Sequence, residues 1–91
     1  MSVLIQFAPP SLTAKQYDEA VRRLTEAGVF PADGLDYELC SGSDDHLNVS
    51  QVWDSQTQLD AFGERLMPIL AELGIDPGKP KVFEVHNIIK R

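Results

Sequence analysis

Two copies of one local pattern constrain the fold of this chain most. Thr13 is followed at the third position by Gln16, and Ser55 by Gln58. A hydroxyl residue and a glutamine at that spacing form a capping box, in which each satisfies a backbone donor left free at a helix start. Behind each cap runs an apolar stripe at helical spacing: Tyr17, Ala20, Val21 and Leu24 in the first, Leu59, Phe62, Leu66, Ile69, Leu70 and Leu73 in the second. Gly28 and Gly74 supply the left-handed stop, and Val29 and Ile75 are placed to fold back on Leu24 and Leu70. The cap-to-glycine spacing is 15 residues in the first copy and 19 in the second, the extra residues falling around Pro68. That proline removes a backbone donor, so the sequence predicts a kink over Glu64 to Met67 or a break into two short helices.

Strand-like segments flank both helices. Val3 to Ala8 is closed by Pro9-Pro10. Leu35 to Ser41 alternates, with Leu35, Tyr37, Leu39 and Ser41 on one face and Asp36, Glu38 and Cys40 on the other. Its paired acids suit a half-exposed strand at a sheet edge. Gly42 to Asp45 is a turn, and Leu47 to Trp53 completes a hairpin. Lys81 to Ile89 reads as the last strand, with Val82, Glu84, His86 and Ile88 on one face and Phe83, Val85, Asn87 and Ile89 on the other. The order β-α-β-β-α-β predicts an α+β, ferredoxin-like domain over residues 1–91, a four-stranded antiparallel sheet with both helices on one face. The first and last strands carry apolar residues on both faces. A sheet of that kind needs a second cover, and a second copy of the same sheet is the economical one. The expectation is a homodimer packed through the sheet face; the plainer alternative is a monomer with a few exposed aliphatics.

Charge narrows the function. The formal net charge is −6, and Arg22-Arg23 is the only adjacent basic pair before Lys90-Arg91. Such a chain offers no basic patch to nucleic acid or to an anionic membrane. No apolar run approaches the roughly 20 residues of a membrane span, and the short segment before Pro9 lacks the basic start of a signal peptide. Cys40 is the sole cysteine, so no internal disulfide forms and a reducing cytoplasm is the simpler location.

With the element order and the Val52-Trp53-Asp54-Ser55 junction in view, the chain resembles the dimeric α/β-barrel superfamily, and within it the antibiotic-biosynthesis-monooxygenase-like group. Many members place a tryptophan at the end of the third strand, then an acid and a serine opening the second helix, then an apolar residue and an aromatic, as Leu59 and Phe62 stand here. The stretch from Phe62 through Asn87 is similar to a small bacterial family to which no reaction is tied. The resemblance implies homodimers with a pocket in each subunit between helices and sheet. The activities it implies include cofactor-independent oxygenation of polyketide aromatics, haem degradation, lactone isomerisation and quinol oxidation. The haem-degrading branch carries a histidine on the second helix; Gln56 through Leu73 contains none.

Several residues are candidates for chemistry. A neutral imidazole at His86 is placed to take an acidic C–H or phenolic proton, the first step of a cofactor-independent oxygenation. Trp53 is a platform for a planar or hydrophobic substrate, with Gln6, Gln51, Tyr37 and Asn87 orienting its oxygens. The competing roles are structural: His86 as a hydrogen-bonded interface residue, Trp53 as a core anchor with its indole N–H on Gln6 or Ser50, Tyr17 and Tyr37 as packing residues with surface hydroxyls. Asp44, Asp45 and His46 lie in a turn that favours Asp for backbone reasons, so no metal site is expected there. Cys40 shares a face with Asp36 and Glu38, whose charges raise a thiol's pKa and argue against a reactive thiolate. With no phosphate-binding glycine loop either, the sequence calls for no metal or flavin. Enzyme and non-catalytic ligand-binding or structural dimer both remain open.

Overall fold

The computed structural model describes residues 2–43 and 45–91. Six elements follow the expected order: β1 (Val3–Phe7), α1 (Ala14–Glu26), β2 (Leu35–Ser43), β3 (His46–Trp53), α2 (Gln56–Glu72) and β4 (Lys81–Glu84). The strands form one antiparallel sheet in the order β2-β3-β1-β4.

Local chemistry sets both helices. At Thr13 the capping box is complete: the hydroxyl accepts from the Gln16 N–H at 3.1 Å, and the Gln16 side chain accepts from the Thr13 N–H at 3.0 Å. At Ser55 the hydroxyl accepts from the Gln58 N–H at 3.3 Å, but it also donates to the Gln58 side chain, whose amide reaches across to Asp33. Both glycine stops form: Gly28 and Gly74 adopt positive φ, and the N–H groups of Val29 and Ile75 donate to Leu24 and Leu70 at 2.8 and 2.9 Å. The expected break at Pro68 does not occur, and α2 runs unbroken to Glu72. The carbonyl that Pro68 leaves without a donor belongs to Glu64, and both residues are exposed, so water can serve it.

Between helices and sheet, Val3, Ile5, Trp53, Leu59, Phe62, Leu66 and Leu70 join Ala20, Leu24 and Val29 in one core. Trp53 is fully buried against Phe62, ring centroids 4.9 Å apart.

Two strands depart from expectation. β2 lies at a sheet edge as its acids suggested, but a register shift between Leu35 and Tyr37 turns it over. Leu35 packs toward the core, while Tyr37 and Leu39 face away from the helices at 40% and 57% exposure, and Glu38 points inward. β4 ends at Glu84 rather than Ile89, because Glu84 is already paired with Val3, where the β1 ladder begins. Beyond it the Val85 N–H donates to the Ser2 carbonyl, and Lys90 then reaches Asp36 and lies 5.8 Å above the Tyr37 ring. Residues 85–91 therefore run from the end of β4 to the opposite edge strand β2, with Lys90 on the helix-free side.

That side carries an apolar row, one residue from each strand: Tyr37, Val52, Leu4 and Phe83. Val52 is buried without any helix above it, whereas Phe83 remains 48% exposed. No helix among the described residues is long and apolar enough to cross a membrane.

Candidate functional site

A cavity of about 70 Å³ lies between the two helices and the sheet. Its wall is built from the helical stripes and the inward face of β1 and β3, so it is apolar: Phe7, Leu24, Val49, Phe62, Leu66 and Leu70 contribute. Three polar side chains interrupt that wall, namely Tyr17, Glu38 and Gln51.

The three are joined. The Trp53 indole N–H donates to Gln51 Oε1 at 3.0 Å, which fixes the amide so that Gln51 Nε2 donates to Glu38 Oε1 at 2.6 Å. From the opposite side the Tyr17 hydroxyl donates to Glu38 Oε2. Gln51 is buried to 3% exposure, where an amide left without partners would be costly; here both ends are used. Burial first, then the Glu38 carboxylate beside it, holds the Tyr17 proton on well above the ordinary phenol range. Burial also pushes the Cys40 thiol up, with Glu38 and Asp18 adding to the effect. The expected direction holds there, although the second acid comes from α1 rather than from Asp36.

The cavity opens beside Glu38. Tyr17, Val21, Phe30 and Glu38 also line a groove between α1 and β2, so the Tyr17–Glu38 hydrogen bond stands at the threshold between the two spaces.

The structure divides the residues singled out in the sequence. Gln51 lines the cavity. Trp53 does not; it stands behind Gln51 as a core anchor, with its indole N–H on Gln51 rather than on Gln6 or Ser50. Gln6 is exposed on the helix-free face, opposite Ser50 and Lys81, and Tyr37 lies on the same face beneath Lys90. His86 and Asn87 are exposed on the segment after β4 and do not line the cavity. Sequence reasoning missed Glu38 and Tyr17. The sequence suggests a packing role with a surface hydroxyl for Tyr17, whereas that hydroxyl is tied to Glu38. Glu38 stands in phase with Asp36 and Cys40 in a regular alternation, so no local signal marks it. Asp44 of the turn lies outside the described residues, and among the described residues no three His, Cys, Asp or Glu side chains gather as a metal site.

This architecture, a four-stranded sheet with two helices on one face and a cavity between the layers, is that of the antibiotic-biosynthesis-monooxygenase-like fold. The solved structure of SnoaB, a cofactor-independent oxygenase from Streptomyces nogalater, superposes with a TM-score of 0.65 at 11% identity, covering 99% of this chain and 96% of that one. A protein provisionally assigned as an antibiotic biosynthesis monooxygenase, from Chloroflexus aurantiacus, gives a TM-score of 0.69 at 13% identity, with 99% and 98% covered. Another of the same assignment, from Deinococcus radiodurans, gives 0.61 at 17% identity, with 100% and 98% covered. No family model and no curated protein sequence matches the chain. At these identities the shared property is the fold.

Proposed function

We propose that the protein is a homodimeric small-molecule-binding domain of the kind used by cofactor-independent monooxygenases, holding a small hydrophobic molecule in the cavity between helices and sheet. The observation that carries this is the cavity itself: an apolar chamber with a single hydrogen-bonded polar end formed by Tyr17, Glu38 and Gln51. Such a chamber binds through its apolar wall and orients through its polar end. The fold likeness to SnoaB supports oxygenation as the chemistry, with the ligand itself as the electron source.

The separation of His86 from the cavity favours a second reading, retention of a ligand without turnover. His86→Ala distinguishes them: loss of turnover with binding retained supports catalysis through His86, and unchanged turnover removes it as the base.

The apolar row on the helix-free face supports the dimer. Native mass spectrometry of freshly purified protein tests both parts. The expected species is a dimer of about twice 10.1 kDa carrying a small adduct. A bare single-chain mass at micromolar concentration would overturn the dimer.

A further inference from the structure

We propose that the occupant of the cavity is a small apolar amine whose ammonium sits on Glu38. The inference rests on the cavity being a ligand pocket and specifies what enters it.

Among the described residues Glu38 is the only charged side chain on the cavity wall, and none of their Lys or Arg side chains lines either the cavity or the groove outside it. Its two partners, the Tyr17 hydroxyl and the Gln51 amide, are neutral donors, and it joins none of the ion pairs among the described residues. A carboxylate offers about four acceptor positions, so Glu38 keeps capacity for a further donor. Asp18, adjacent to Tyr17 on α1, adds negative potential at the same end, felt by both Tyr17 and Cys40. A cation is attracted there and an anion repelled.

Position favours an amine over a fully buried charge. Glu38 lies where the cavity meets the groove, so an ammonium bound to it keeps part of its hydration, which lowers the desolvation cost. Leu24, Leu66 and Leu70 line the cavity but not the groove and are buried, so the ligand's apolar end lies against them. The volume of about 70 Å³ is under half of the roughly 150 Å³ that accommodates benzene, which limits the enclosed body to about three carbons.

Three probes with one carbon skeleton and different heads test this: propylamine, 1-propanol and propionate, titrated at pH 7 into the whole protein. The readout is the methyl NMR signals of Leu24, Val49 and Leu66. The amine should bind about tenfold tighter than the alcohol, and the carboxylate weaker than either, as a charge-assisted hydrogen bond replaces a neutral one. Glu38→Gln keeps an acceptor for Gln51 and should reduce the amine's advantage to within about twofold. The head-group ranking in the unaltered protein decides the matter even if that variant folds poorly. An amine bound no better than the alcohol, or an advantage that survives Glu38→Gln, overturns the amine while leaving the pocket. No shift of those methyls by any probe overturns both.

Discussion

The two faces of the sheet solve burial differently. On the helix side, β3 presents Val49, Gln51 and Trp53 to two amphipathic helices, and the result is a covered core that contains the small cavity. On the other side Tyr37, Val52, Leu4 and Phe83 form an equally continuous row, yet it receives only the crossing segment 85–91. The first face is completed by its own chain. The second keeps Tyr37, Leu39 and Phe83 exposed, the pattern of a surface that a second copy covers. The comparison teaches that apolar content alone does not locate a core; the cover does.

Substitutions can break that contrast. Trp53→Ala should have the largest effect, about 3–5 kcal/mol of stability in a denaturant titration, because it opens a cavity in the closed core and strips Gln51 of its donor. Phe83→Asp, on the open face, should leave the chain folded by circular dichroism but shift the mass in light scattering from about two chains toward one. A large stability loss without a mass change would erase the distinction between the faces. Thr13→Ala should cost about 1 kcal/mol, and Ser55→Ala less, since only the first cap is reciprocal. Lys90→Ala should cost under about 0.5 kcal/mol, as its pair with Asp36 is solvent-exposed. Alkylation of Cys40 should be slower at pH 8 than that of an exposed thiol, because its raised pKa lowers the thiolate fraction.

Much of the fold was legible because it is encoded locally. The caps at Thr13 and Ser55, the stops at Gly28 and Gly74 and the apolar stripes lie within a few residues of the bonds they make. β2 was legible as an edge strand but not in its orientation. Alternation separates Tyr37 and Leu39 from Glu38 without saying which set meets the helices, and the shift after Leu35 reverses the natural assumption. The polar end of the cavity was hidden for a related reason. Glu38 is admitted inside by Tyr17, 21 residues before it, and by Gln51, 13 residues after it. His86 was assigned to a strand face that ends at Glu84, two residues too early to hold it.

The hydrogen bonds around Glu38 also have a direction. Trp53 donates to Gln51, Gln51 donates to Glu38, and Tyr17 donates to Glu38 from the other side. An indole N–H can only donate, so it fixes which way the Gln51 amide points and hence that Glu38 receives an N–H from that side. Every bond in the network therefore points at Glu38, which holds the carboxylate from both sides at the wall that the cavity shares with the groove beside α1.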